Sequence, residues 1–410
     1  MTFRPVTAPT SSLAITALVP AHNEADCIAD TVQALLDGDR VPDHIVVVPN
    51  GCSDDTADVA RTFTDPRVTV LELPRLEHRK SEALNIAWRA HALDSDVVIC
   101  LDADTVLPAN AVSDWEQEFA ATIGRRPRGL PLGGSSSKFT MLGDDFLTRL
   151  QRNEFAKWTD TALIRGWTSV LAGTGCAISG AALREVVAAD GRVGPWSYDS
   201  QVEDFELTYQ IRALGYRCQV SPTVRAYTDS MTSVRALWGQ RMKWQVGTVE
   251  DLLSLGLNRL TFLDWMQQAT GVFMASIRAL WLAVLVTQAV LGDLHFFWLA
   301  WVVIPVIFAL TEGYMALRIP HRDRKDVFMA FAIVPQEVFS WLRAGWFVKA
   351  WHDVLMGRIT GQRKDRWSMQ YAAEGHLAYA TALPPSNTDA AIISASANHG
   401  FTTPHLTKES

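Results

Sequence analysis

Residues 13–100 repeat one pattern, and it limits the fold more than any other feature of the chain. A short β-branched apolar run leads through a turn into an amphipathic segment: LAITALVPA then ADCIADTVQALLDG, HIVVVPN then DDTADVARTF, RVTVLEL then SEALNIAWRAHAL, and last DVVICLDAD. Strand-length runs alternating with helix-length ones imply a mostly parallel, doubly wound α/β sheet. Ligands of such sheets gather beyond the carboxyl ends of the strands. PAHNE, PNGCSDD and DADT all fall at those ends.

The pattern then loosens. GRRPRGLPLGGSSSK, within residues 124–153, reads as a loop before a helix at about 146–162, and VLAGTGCAISGAALREVV reads as a further strand-turn-helix unit. WSYDSQVEDFELTYQIRALGYRCQV follows as a polar loop, an amphipathic helix and a strand.

The second half suits a different solvent. Residues 272–291 and 296–315 are each about long enough to cross a bilayer, with Arg278 snorkelling to the headgroups. The basic run RIPHRDRKD follows the second, and the positive-inside rule places it, and with it the N-terminal domain, in the cytosol. A third apolar stretch, at about 327–350, is interrupted by Pro335, Gln336, Glu337 and Arg343, which fits an interfacial or re-entrant helix. Core helices of a soluble domain are the alternative for all three. The expected organisation is a flexible N-terminus (1–12), an α/β domain (13–250), a membrane and interfacial region (251–370) and a disordered, low-charge tail (371–410).

Charge and cysteine usage narrow the partners. A net charge of −7 excludes a general nucleic-acid binder, which needs a basic surplus to neutralise phosphates. The five cysteines have no CxxC spacing and all precede the apolar region, as reduced thiols in a cytosol-facing domain would. The polar start MTFRPVTAPTSS lacks the apolar core of a signal peptide.

Several short motifs could carry chemistry. Strand alternation places Asp102 and Asp104 on one side at a strand's exposed end, where a hard cation such as Mg²⁺ or Mn²⁺ could be shared with phosphate oxygens; a solvated turn is the plain alternative. Asn23 and Glu24 sit at the mouth of the first strand, and Asn50 at the mouth of the second can present its amide to a nucleobase edge. Asp54 and Asp55 read as helix caps. Lys80 offers a point charge to a diphosphate, or is a solvated loop lysine, while Asn85 steadies the helix start. Glu203 and Asp204 open a helix, where a carboxylate gains from the dipole and could also act as a general base. GQRMKWQVG, with Gln240, Arg241, Lys243 and Trp244, reads as an active-site element or as a membrane-surface anchor.

In this order, PAHNEA, PNGCSDDT, HRKSEALN, DADT, VED and QRMKW resemble the family 2 glycosyltransferases, in the membrane-embedded polysaccharide synthase branch with the poly-N-acetylglucosamine, hyaluronan, chitin and cellulose synthases. The resemblance spans residues 13–244 and implies a GT-A type nucleotide-sugar domain, followed here by the helical membrane region. It implies inverting, metal-dependent transfer of a hexose or N-acetylhexosamine from a UDP-sugar donor to a glycan, lipid-linked or protein acceptor beside a lipid bilayer. On this basis Pro20, Ala21, His22, Asn23, Glu24 and Asn50 line the uridine, and Lys80 lies near the nucleotide. Asp102, Ala103 and Asp104 form the DxD motif, with Asp104 the main metal ligand. Asp204, beside Glu203, is the base, Gln240, Lys243 and Trp244 match Q-x-x-R-W, and Arg241 backs up Lys243 at the diphosphate. The chain departs from the pattern at Pro49-Asn50 for Asp-Asp, at Lys243 for Arg and at Met231 for Pro. Processive synthesis, single-sugar transfer and a catalytically silent membrane scaffold or nucleotide-sugar sensor are the three readings.

Overall fold

The computed structural model describes residues 12–122, 129–292, 298–318, 324–362 and 364–374. The first repeats fold as expected: β1 (Ile15–Ala21), α1 (Ile28–Leu36), β2 (His44–Pro49), α2 (Thr56–Arg61), β3 (Val68–Val70), α3 (Arg79–Ala87) and β4 (Val97–Cys100). After them come β5 (Thr105–Val106), α4 (Ala111–Ala120), β6 (Leu132–Met141), α5 (Phe146–Arg165), β7 (Cys176–Ser179), α6 (Gly180–Asp190), α7 (Glu203–Ala213), β8 (Arg217–Thr228) and α8 (Val234–Leu255). The strands form one sheet in the order β3-β2-β1-β4-β7-β6-β8-β5. β3, β2, β1 and β4 run parallel, β7 is antiparallel to both its neighbours, and β6 pairs parallel with β8.

Strand alternation divides the core into two layers. Ile15, Ala17 and Val19 of β1 join α1 and α4 on one face, while Leu18 with Val46, Val48 and Val98 joins α3 and α6 on the other. Both faces are therefore dry, as a mostly parallel sheet requires.

One expectation is corrected here. LGGSSSK, read as loop, is most of strand β6. Its small residues are needed by close packing: a Cβ on Gly133 would lie 2.4 Å from Ile211 Cγ2, and one on Gly134 would lie 2.2 Å from Leu171 Cδ1.

Among the described residues five further helices follow: α9 (Phe262–Leu291), α10 (Trp298–Ala316), α11 (Arg324–Phe331), α12 (Ile333–Thr360) and α13 (Arg366–Glu374). Among the described residues one helix, α9, is long and apolar enough to cross a membrane, and α11 with α12 pass the same test only as a pair bent by 71°. The second expected span begins in residues outside those described. The stretch expected as an interfacial or re-entrant helix at 327–350 lies in this bent pair. α12 lays Phe339, Trp346, Ala350 and Val354 against Leu237, Met242, Val246 and Val249 of α8. α8 itself crosses the boundary drawn at residue 250.

The join between the two halves is ionic as well as apolar. Arg152 Nη1 lies 2.9 Å from both oxygens of Asp326, Arg149 Nη1 lies 3.0 Å from Asp326 Oδ1, and all three side chains are buried. Asn153 donates to Glu312 of α10 at 2.8 Å, and Lys157 pairs with the same carboxylate. This explains why α5 buries a polar face and shows no apolar periodicity.

Residues 371–374, assigned to a disordered tail, are the last turn of α13. That helix approaches α8 closely at Gly239, where a Cβ would lie 2.9 Å from Ala373 Cβ. The remaining tail residues, and residues 1–11 of the expected flexible N-terminus, lie outside the described residues.

Candidate active site

The carboxyl ends of β1, β2 and β4 and the N-termini of α3 and α7 open into one cavity of about 620 Å³. Pro20, Ala21, His22, Asn23, Glu24, Asn50, Lys80, Asp102, Ala103, Asp104, Glu203, Asp204, Gln240, Lys243 and Trp244 all line it. Arg241 does not. It is buried behind the wall with Nη2 3.0 Å from Glu154 Oε2, which removes it from the diphosphate role expected of it.

The β1 and β2 turns are tied together. Asn23 takes a left-handed backbone (φ 58°), a conformation asparagine tolerates, and its Oδ1 accepts from the Ser53 N–H at 2.7 Å. His22 Nδ1 lies 2.7 Å from the Asn50 carbonyl, and Asn50 Oδ1 accepts from the Leu76 N–H at 3.3 Å. Of the two expected caps, Asp55 holds the N-cap position of α2 without a side-chain cap hydrogen bond, while Asp54 accepts from the Thr56 N–H at 3.1 Å and from the Ala25 N–H.

Lys80 faces two carboxylates from different elements: its Nζ lies 2.5 Å from Asp102 Oδ1 and 3.5 Å from Glu203 Oε1. Burial alone would lower its pKa, but Asp102 and Glu203 outweigh burial and hold the ammonium well above its ordinary value. Arg79 just before it takes a left-handed backbone (φ 48°), a strained conformation, and pairs with Asp365 ahead of α13. Asn85 lies about one and a half turns further along α3. Its amide donates to the Trp196 carbonyl at 2.7 Å and accepts from the Trp196 N–H at 3.0 Å, fixing the loop that leads to Glu203.

Asp204 stands in the first turn of α7. Burial and the neighbouring Glu203 carboxylate raise its pKa to about 6, against the opposing pull of Lys80, the Phe205 N–H and Lys243. A carboxylate so tuned is ionised at neutral pH and basic enough to accept a proton. Across the cavity, burial raises Asp104 well above its ordinary value, with Asp102, Glu24 and Asp229 adding to the effect. Asp229 is itself raised to about 6 by burial and Asp30, and its Oδ1 is buried without a hydrogen-bond partner. Among the described residues no three His, Cys, Asp or Glu side chains form a ready-made metal cage. Even so, the gathered carboxylates and the orphaned Asp229 oxygen suit a hard divalent cation that takes its remaining ligands from a diphosphate.

The far wall is aromatic. Phe139, Phe155, Trp158 and Trp244 line it, with Met141, Val170 and Met231 between them. Trp367 and Gln370 of α13 close one side, and the Trp367 ring lies 3.3 Å from Lys243 Nζ. Phe155, Trp158 and Trp367 also line the cavity and carry no local pattern in the sequence, whereas Asp229 is signalled by the acidic Tyr227-Thr228-Asp229 stretch ahead of QRMKW.

The family described as Glycosyltransferase like family 2 matches residues 12–247. Two curated relatives are poly-β-1,6-N-acetyl-D-glucosamine synthases. The Staphylococcus aureus protein is 27% identical over 244 residues, covering 58% of this chain and 55% of the relative, and the Staphylococcus epidermidis protein is 27% identical over 245 residues with the same coverage. The match thus takes in about half the length of these relatives. Among solved structures, a mannosyltransferase from Pyrobaculum calidifontis in complex with GDP-Man and Mn²⁺ superposes with a TM-score of 0.56. It is 18% identical and covers 85% of this chain and 89% of its own, a likeness of fold.

Proposed function

The chain belongs to the glycosyltransferase-like family 2, and on that premise we propose that it transfers a hexose or N-acetylhexosamine from a UDP-sugar to a glycan acceptor, with inversion, at a membrane. The observation that carries this reading is Asp204, with its pKa near 6, in the same cavity as Lys80 and the Asp102–Asp104 pair.

The chemistry follows from that arrangement. The sugar's nucleotide rests on Pro20 to Glu24 and Asn50. An acceptor hydroxyl enters between Asp204 and the Trp244 ring, whose apolar face suits a sugar. Asp204 takes the hydroxyl proton as the oxygen attacks the anomeric carbon, the sugar–phosphate bond breaks, and the departing diphosphate meets Lys80 and Lys243. Asp102 and Asp104, with Asp229 alongside, would hold a Mg²⁺ or Mn²⁺ ion, which supplies Lewis-acid neutralisation of the diphosphate charge when bound.

α9, with its apolar side chains exposed, supports attachment to a bilayer. A second reading, single-sugar transfer to a lipid carrier or protein, draws support from the apolar wall of Phe139, Val170 and Met231. A panel of nucleotide sugars, including GDP-mannose, incubated with the membrane-bound protein and scored for nucleotide release and product mass, tests both. A ladder of products supports polymer synthesis, and one added sugar supports the second reading. Asp204→Asn should abolish transfer while UDP still binds; full activity in that variant would overturn the base assignment.

A further inference from the structure

Arg241 is the one expected site residue that the cavity excludes, yet it touches three residues that line it. Its guanidinium lies 4.4 Å from the Trp244 ring centroid and 4.8 Å from that of Phe155, and Nη1 donates to Gln240 Oε1 at 2.9 Å. The two rings stand edge to face, 5.9 Å apart. The charge is met from behind by Glu154 at 3.0 Å, and Glu154 reaches Arg343 of α12 at 3.7 Å. A planar cation against two aromatic faces restrains the tilt of both rings, which an ammonium of the same charge cannot do.

We propose that Arg241 is a positioning residue for the acceptor subsite, setting the orientation of Trp244, Phe155 and Gln240. The proposal rests on the glycosyltransferase reading for its ligand, a sugar chain stacked on Trp244. In that frame the basic residue at 241 acts on the acceptor and leaves the diphosphate to Lys80 and Lys243. It also joins the acceptor wall, through Glu154 and Arg343, to a helix of the C-terminal region.

The test compares Arg241→Lys and Arg241→Met with the parent protein in detergent. Two binding constants are measured by equilibrium dialysis, one for UDP with Mn²⁺ and one for a β-linked N-acetylglucosamine oligosaccharide. Both variants should bind the oligosaccharide about tenfold more weakly, with UDP affinity held within about twofold, and Lys should fail to rescue Met. Weaker UDP binding with unchanged oligosaccharide binding would overturn the proposal in favour of a diphosphate cation. Equal loss of both ligands, or of neither, would overturn it too. Should the Arg241 variants fail to fold, Glu154→Gln keeps the guanidinium but removes its counter-charge. That variant should weaken the oligosaccharide selectively, and an unchanged ratio of the two constants would refute the idea. If the parent protein binds UDP yet releases none from any donor, the functional reading fails, while the two binding constants still judge the positioning role.

Discussion

Lys80→Met is the most informative single change, because one ammonium balances three carboxylates, Asp102 beyond β4 and Glu203 and Asp204 of α7. Its Nζ is 2.5 Å from Asp102 Oδ1 and 3.5 Å from Glu203 Oε1, and its charge lowers the pKa of Asp204. Removing one partner of a fully buried pair costs about 3–5 kcal/mol; this pair is part-buried, with the Asp102 side chain 35% exposed, so solvent screening and proton uptake by the abandoned carboxylates should bring the cost below that. Asp204, already raised from 3.8 to about 6, should move up further once that opposite charge is gone. In the parent protein a rate that needs ionised Asp204 rises through about pH 6 and is close to its plateau at pH 7. In the variant Asp204 is less ionised at neutral pH, so the acid limb shifts to higher pH.

The stability consequence has a definite sign. A carboxyl whose folded pKa exceeds its unfolded one binds its proton more tightly when folded, so Asp204 makes the folded state lose stability as pH rises from about 4 to about 6. Lys80→Met extends that loss to higher pH, and the Tm gap to the parent should widen between pH 5 and pH 8. The assay is nucleotide release from pH 5 to pH 9, with thermal unfolding at the same points. An active variant whose acid limb stays at the parent's pH, or a parent profile flat through pH 6, would refute the reasoning.

Asp104→Asn should remove the rise in Tm that Mn²⁺ or Mg²⁺ plus UDP gives the parent, and EDTA should do the same to the parent itself; thermal shift measures both. Asp326→Ala takes the carboxylate partner from the buried Arg152 guanidinium and leaves Arg149 to Asp144, and should cost about 3–5 kcal/mol, read by denaturant unfolding in detergent and by faster proteolysis near α11. Gly180→Ala would place a Cβ 1.9 Å from the Ser95 carbonyl oxygen, a backbone contact that cannot swing away. The expected cost is about 1–3 kcal/mol, and a Tm equal to the parent's would show that β7 and the loop before β4 part more easily than their packing implies.

The readable parts of the site were those where a strand ends in polar residues. Asn23, Glu24, Asn50, Asp102 and Asp104 follow apolar runs directly, so a periodicity-two pattern located them before any packing was known. β6 was not readable because close packing against Ile211 and Leu171 demands glycine and serine, which look like loop. α5 gave no apolar stripe because its buried face is ion-paired with Asp326, Glu312 and Arg241. Arg241 and Lys243 look alike in GQRMKW. One turns behind the wall toward Glu154, and the other faces the cavity beneath Trp367.

The sequence by itself determined the alternating α/β order, the mouths of the strands as the place for a ligand, and the carboxylates available for metal and base. Those properties are local, set by side-chain alternation and by which residue follows a strand. The tertiary structure decided that Lys80 spans Asp102 and Glu203, that burial tunes Asp204 to about pH 6, and that α13 returns to cover α8. It alone separated the two cations of GQRMKW. Desolvation and charge pairing depend on which distant segments come together, and no spacing along the chain encodes that distance.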